Sequence, residues 1–343
     1  MLDDLKYIHE RDVDDTLGIA ARQFEQLQYE FAVPELDFHP DNIVYAGMGG
    51  SALAGLISSV WPGYTVPFDL VRDYEIPSYV SKKTVFIAAS YSGNTEETLS
   101  ALEKAETQGA TILVIASGGK LAEIAKQKGY PLALLPKAEQ PRYAVFYNLR
   151  ALLTLMHKMR VVAVEDSLEQ LAATTVLLQE KSQIWLPTVP AKDNPAKRLA
   201  QELMGKSVVI YAGPKLFPAA YKWKISCNEN AKQVAWTNEL PEFNHNEFIG
   251  WSKQPVQKPY AIVDLRSTAE HPRVQKRFEV TERLLSGMRP APFVIRPEGK
   301  TLLEQLLWTI AFGDFVTLYL GLLNGLNPAP VDLVEKFKLE MNK

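Results

Sequence analysis

Apolar residues in this chain fall into two arrangements that alternate along it. One is a short unbroken run: Asn42-Ile43-Val44-Tyr45-Ala46, Thr84 to Ala89, Thr111 to Ala116, Ser207 to Ala212 and Tyr260 to Asp264. Such runs, rich in β-branched and aromatic residues, predict strands covered on both faces. The other is a helical repeat. It spans residues 1–30 (Leu17, Ile19, Ala20, Phe24, Leu27, Phe31), Ala52 to Val60, Thr95 to Gln108, Leu121 to Lys128, Ala144 to Val161 and Phe217 to Asn228. It returns over Pro272 to Met288, Leu302 to Leu323 and Val331 to Met341. Val66–Val71, Leu132–Leu135 and Pro292–Ile295 add shorter strand candidates. Strands alternating with helices predict an α/β fold of parallel, doubly wound sheets, with ligand sites at the strand C-termini.

The alternation runs twice, which predicts two domains of one architecture. The first covers residues 1–155 with an N-terminal helix, and the second covers 205–343 with terminal helices. Residues 156–204 read as a helical connector broken by Pro187, Pro190 and Pro195. Asn228 to Glu247 stands apart. It has little periodicity, mixes Asn and acidic residues with Trp236, Leu240 and Phe243, and reads as a long loop. Loops of that kind carry function more often than cores do.

Composition narrows the class. The 343 residues are 47% apolar and carry a net charge of −3, without long runs of one sign. That argues against a nucleic-acid or anionic-membrane partner. A single cysteine, Cys227, excludes an internal disulfide and points to a reducing compartment, with the cytoplasm as the expectation. The charged start, Met1-Leu2-Asp3-Asp4, lacks the apolar core of a signal peptide. Glu304, Gln305 and Asp314 interrupt the most apolar segment, which fits a buried helix better than a membrane span.

Candidate chemistry gathers at strand ends. Gly47-Met48-Gly49-Gly50-Ser51 follows the first strand and opens a helix, whose free N–H groups suit an anion. It lacks the third glycine of a dinucleotide fingerprint and the Gly-Lys-Ser/Thr of a Walker loop, and a plain tight turn fits it equally. Ser90-Tyr91-Ser92-Gly93-Asn94-Thr95 is more specific, with three hydroxyls and a Gly-Asn turn where a strand gives way to a helix. Hydroxyls and helix N–H groups without Lys or Arg suit a phosphate monoester that must be released again. The alternative is that Ser92, Asn94 or Thr95 merely caps the helix. Glu229 and His245 are the acid–base candidates, a carboxylate for moving a proton between adjacent carbons and an imidazole for ring opening. As an isolated pair, a solvated helix-end charge and a hydrogen-bonded loop histidine would explain them better. Arg142 could offset charge on an enediolate. Lys338 lies on an amphipathic terminal helix. No metal-ligand spacing appears, and no cofactor motif is complete.

Taken together, these segments resemble the sugar isomerase (SIS) domain proteins, and specifically the bifunctional phosphoglucose/phosphomannose isomerases of archaea and bacteria. Gly47–Ser51 is similar to the family's G-M-G-G-S turn, and Ser90–Thr95 to its S-Y-S-G-N-T phosphate loop. Pro141-Arg142, Asn228-Glu229-Asn230, Glu242 to Glu247, and Asn327 to Val331 with Lys338 resemble its remaining motifs in order. The resemblance implies two SIS-type domains and interconversion of glucose 6-phosphate, and mannose 6-phosphate, with fructose 6-phosphate, a step of glycolysis and gluconeogenesis. It further implies that Gly50, Ser51, Ser90, Ser92 and Thr95 bind the substrate phosphate. Glu229 would move the C1/C2 proton through a cis-enediol, and His245 would open the ring from the neighbouring subunit of a homodimer. Arg142 would stabilise the enediolate, Lys338 would assist near the ring oxygen, and no metal or cofactor is expected. Ala329 departs from the family's hydroxyl residue in the C-terminal motif, which puts acceptance of mannose 6-phosphate in question. A sugar-phosphate sensor without turnover, or an isomerase of another sugar phosphate, are the alternatives.

Overall fold

The computed structural model describes residues 1–138, 140–253 and 259–341. Two short helices open the chain, α1 (Leu5–His9) and α2 (Thr16–Arg22), followed by a 3-10 helix over Gln23–Gln28. The single helix expected over 1–30 is thus divided, for a local reason. The Asp12 carboxylate accepts from the Thr16 and Leu17 amides at 2.8 and 2.9 Å, and Asp15 adopts a left-handed φ of 50°. Aspartate competes with the helical backbone in this way, and it starts helices better than it continues them.

The chain divides into two compact units. Gln23–Val176 holds the first sheet, built from β1 (Asn42–Ala46), β2 (Phe68–Val71), β3 (Thr84–Ser90), β4 (Thr111–Ala116) and β5 (Leu132–Leu134). All neighbours are parallel, in the order β2-β1-β3-β4-β5. Every residue of β3 is buried, as an unbroken apolar run requires. The helices are α3 (Gly49–Val60), α4 (Glu96–Thr107), α5 (Gly119–Lys128) and α6 (Val145–Lys158), and α7 (Ser167–Ser182) leads out of the unit. On one face Ala101, Leu102 and Ala105 of α4 and Leu121, Ala122 and Ala125 of α5 pack on Val44, Phe86, Ala88 and Val114. α3 covers the other face, with Gly55 against the Tyr45 ring, and packs on α6. The sheet is therefore doubly wound, with its switch point beside β1 and β3.

The second unit comprises Leu177–Lys343 together with Met1–Arg22. The N-terminal helices, grouped with the first sheet by the sequence pattern, belong here for specific reasons. Tyr7 OH donates to Leu322 O at 2.7 Å, Asn327 Nδ2 to Asp14 Oδ2 at 2.8 Å, and the buried Lys197 ammonium to Asp3 at 3.2 Å. The helices are α8 (Pro195–Leu203), α9 (Phe217–Asn230), α10 (Glu247–Gly250), α11 (Pro272–Leu284), α12 (Leu302–Leu323) and α13 (Asp332–Met341). The strands β6 (Ser207–Ala212), β7 (Ala235–Glu239), β8 (Tyr260–Leu265) and β9 (Phe293–Ile295) form a parallel sheet in the order β7-β6-β8-β9. α12 begins with a capping box between Thr301 and Glu304. It is long and apolar enough to cross a membrane by composition, yet 94% of that stretch is buried inside the unit, against α8 and α9. It is a core helix, as its interrupting polar residues imply.

Candidate active site

Two turns of the first unit meet at the C-terminal ends of β1 and β3. Ser51 Oγ accepts from the Tyr91 amide at 3.1 Å, which ties the Gly47–Ser51 turn to the Ser90–Thr95 turn. Ser90 Oγ lies 2.7 Å from Thr95 Oγ1 and 3.5 Å from Ser92 Oγ, and it accepts from the Gly93 amide at 3.1 Å. A neighbouring turn props this loop from below: Ser117 Oγ donates to Tyr91 O at 2.6 Å, and Lys120 N to Asn94 Oδ1 at 3.0 Å. Thr95 occupies the N-cap position of α4 but makes no side-chain cap bond, because its hydroxyl turns to Ser90. Met48 holds the same position on α3 and offers no acceptor. Capping, the plain alternative for these hydroxyls, is therefore not what they do. Two helix N-termini without side-chain caps face a cluster of hydroxyls, an arrangement suited to an anion.

Arg142 joins this group. Its Cα lies 3.4 Å from where a side chain on Gly50 would begin, and it is 3% exposed. Its guanidinium carbon stands 4.8 Å from the Tyr143 ring centre, with Gln140 Oε1 at 3.5 Å. Gly50, Ser51, Ser90, Ser92, Thr95 and Arg142 thus gather at one end of one sheet, although 92 positions separate Gly50 from Arg142 in the chain.

The other three candidates lie in the second unit. Glu229 is half-buried in the last turn of α9. The asparagines beside it fix that helix end: Asn228 Oδ1 accepts from Ala235 N at 3.1 Å, and Asn230 Nδ2 donates to Thr317 Oγ1 at 3.0 Å. Lys232 Nζ donates to Glu229 O at 2.7 Å and to Pro328 O at 3.0 Å, joining the helix end to the C-terminal motif. Ala329 is buried in that motif, its amide 3.1 Å from Asn327 Oδ1. His245 is exposed at the end of a 3-10 turn, Glu242–His245. Lys338 stands on α13, its Nζ 2.7 Å from Glu335 Oε1, beside the exposed Leu333 and Phe337.

The stretch expected to be one long loop contains β7. Ala235–Glu239 pairs with Val208–Ala212 at the sheet edge, where Trp236 is 49% exposed. An edge strand needs no apolar face toward solvent, so Thr237, Asn238 and Glu239 hide it from a search for apolar runs. Glu247 of the matching segment also heads a group that the sequence pattern did not predict: it accepts from Tyr211 OH and from Asn238 Nδ2, beside His245. The only signal for it was Glu247 itself, two residues past His245 in the matching segment.

The ends of the second sheet are closed by their own side chains. Glu270 Oε1 accepts from Lys215 N at 2.7 Å, ahead of α9, and burial pushes this carboxyl above its usual range. Ser267 Oγ donates to Gln305 Oε1 at 2.6 Å, and Thr268 Oγ1 accepts from Gln305 Nε2 at 2.7 Å. The open hydroxyl cradle belongs to the first unit.

Residues 38–159 match the SIS domain model, and residues 192–341 match the model of the bacterial phospho-glucose isomerase C-terminal SIS domain. A bifunctional phosphoglucose/phosphomannose isomerase from Aquifex aeolicus is 32% identical over 323 residues, 93% of this chain and 96% of that protein. The chain belongs to the bifunctional phosphoglucose/phosphomannose isomerase family. Another member, from Caldicellulosiruptor bescii, is 36% identical over 87% of this chain and 88% of its own. A D-glucosamine-6-phosphate 4-epimerase from Sulfolobus acidocaldarius is 36% identical over 65% of this chain and 68% of its own. In fold, this family member is similar to a glucose-6-phosphate isomerase like protein from Thermus thermophilus, with a TM-score of 0.67, 19% identity and 98% of both chains covered. The expected α/β fold of two SIS-type parallel sheets flanked by helices holds.

Proposed function

We propose that this protein interconverts glucose 6-phosphate with fructose 6-phosphate through a cis-enediol, and accepts mannose 6-phosphate as the C2 epimer. The observation that carries this reading is the hydroxyl cradle, because a hexose phosphate needs a reversible phosphate anchor before any proton moves. Gly50, Ser51, Ser90, Ser92 and Thr95 hold the phosphate through hydroxyl and backbone donors. His245 moves the proton between O1 and O5 that opens the ring. Glu229 removes the C2 proton of the open aldose as the O1 carbonyl becomes the enediolate oxygen, a proton passes from O2 to O1, and the same carboxyl returns its proton to C1 as O2 becomes the ketone oxygen. Arg142 offsets the negative charge that develops on the enediolate, and Lys338 assists near the ring oxygen. The chemistry is proton transfer throughout, so neither metal nor cofactor enters.

The working form in this reading is a cytoplasmic homodimer in which His245 serves the neighbouring subunit. Full activity from a species that elutes as a monomer at assay concentration would contradict that part. The role of Glu229 is tested by Glu229→Gln, which keeps the shape and removes the base. Turnover should fall by about 10²–10⁴-fold while fructose 6-phosphate still binds. Undiminished turnover would reject the assignment. The similarity to a glucosamine-6-phosphate epimerase supports a second reading, in which the same cradle serves an amino sugar phosphate. Turnover of glucosamine 6-phosphate, with none of fructose 6-phosphate, would favour it.

A further inference from the structure

His245 is exposed, yet the segment that carries it is held hard. Leu240, Phe243 and Trp251 are buried with Val209, Tyr211, Ile262 and Phe278, and Phe248 packs against them. Within this apolar patch lies a polar knot. Glu247, two residues past His245, accepts from the Tyr211 hydroxyl on β6 and from Asn238 Nδ2 on β7 at 2.8 Å. Trp251 Nε1 donates to the same Tyr211 oxygen at 2.9 Å. Tyr211 and Asn238 are register partners across the two strands, so Glu247 grips both at one level of the sheet. Burial and the nearby carboxylate push the Tyr211 hydroxyl upward, which keeps its proton available for donation. Arg289 stacks over the Tyr211 ring at 5.2 Å and offsets the charge. On the other side of His245, Asn244 is tied to α11, with Nδ2 donating to Thr281 Oγ1 at 2.9 Å and Oδ1 accepting from Arg277 at 3.2 Å.

We propose that Glu247 is the positioning residue for His245: by clamping the Asn244–Glu247 turn to Tyr211 and Asn238, it fixes the direction in which the imidazole is presented for ring opening. This rests on the ring-opening role given to His245 above. Glu247 itself touches no substrate. Its loss leaves the base, the phosphate cradle and the enediolate contacts intact and impairs only the step that needs His245. A displacement of about 1 Å at a reacting group costs roughly 10²-fold.

A double-mutant cycle tests it, with fructose 6-phosphate turnover as one readout and binding of an acyclic hydroxamate mimic of the enediolate as the other. His245→Ala should lower kcat by about 10²–10⁴-fold. Glu247→Ala should lower it by about 10–10²-fold, and the double variant should be no slower than His245→Ala. The hydroxamate, which needs no ring opening, should bind Glu247→Ala within about twofold of wild type. Tyr211→Phe should show a smaller loss of the same kind, because Asn238 still holds the carboxylate. Glu247→Gln should recover part of the activity, since it still accepts from Tyr211. The proposal is overturned if Glu247→Ala turns over at the wild-type rate while His245→Ala does not. It is equally overturned if the two losses multiply, or if hydroxamate binding falls as far as turnover, which would make the clamp a general structural element. If His245→Ala itself is fully active, the ring-opening role falls and the positioning role falls with it.

Discussion

Gly93→Ala strikes the cradle with one carbon atom. Gly93 has φ +71°, where an added Cβ costs about 1–2 kcal/mol. That Cβ would also stand 1.8 Å from Gly118 O and 2.8 Å from its carbonyl carbon, whereas real Cβ atoms stay beyond 3.0 Å. Both obstacles are backbone, and their turn is tied to the loop by Ser117 N to Tyr91 O at 3.0 Å and Leu121 N to Gly93 O at 2.9 Å. The loop must therefore move by roughly 1 Å, which also breaks the Gly93 amide's bond to Ser90 Oγ and shifts the Ser90 and Thr95 hydroxyls. kcat/KM for fructose 6-phosphate should fall about 10²-fold, mostly as a higher KM, because phosphate contacts are made in ground and transition states alike. Gly129→Ala is the control. Its φ is +72° at the end of α5, and nothing lies within 4 Å of the added carbon. It should lose about the same 1–2 kcal/mol of stability by urea titration and keep wild-type kinetics. A Gly93→Ala enzyme with KM within twofold of wild type, and stability equal to the control, would refute the reasoning.

Other outcomes follow from the buried charges of the two units. Lys222 and Asp314 pair with both side chains 1% exposed, and Ser226 bridges them at 2.7 and 3.0 Å. Lys222→Met should cost about 3–5 kcal/mol in urea unfolding, and Lys222→Met with Asp314→Leu should recover most of it; a double variant as unstable as the single would contradict this. Burial pushes the Cys227 thiol up to about 12, so the folded protein at pH 8 should resist a thiol reagent that labels the denatured chain at once. Burial holds His157 below its usual value, with Nε2 2.6 Å from Ser167 Oγ. The folded state then binds fewer protons than the unfolded one as pH drops past about 6.5. Stability present above that pH should be lost as pH falls through the lower folded value, and His157→Gln should flatten this acid limb in thermal melts.

The central strands were legible because both their faces are covered. Thr111–Ala116 and the core helix Leu302–Leu323 appear at the bounds their apolar residues imply. β7 escaped because an edge strand bearing Trp236, Asn238 and Glu239 has no such run. The first helix was overextended because Asp12 and Asp15 act through side-chain bonds and a backbone angle, which apolar spacing does not encode. In the first unit's site, strand, glycine turn and hydroxyl loop could be read in order. The bond from Tyr91 to Ser51 and the approach of Arg142 to Gly50 could not, since both join distant parts of the chain. The clamp of Glu247 on Tyr211 was hidden for the same reason.

The most direct test of the isomerase reading is a coupled assay of the purified protein with fructose 6-phosphate, with a chelator present, scoring glucose 6-phosphate and mannose 6-phosphate separately. Both products are expected. Glucose 6-phosphate alone would mean that Ala329 narrows the enzyme to one epimer. Neither product, with fructose 6-phosphate still bound, would contradict the isomerase.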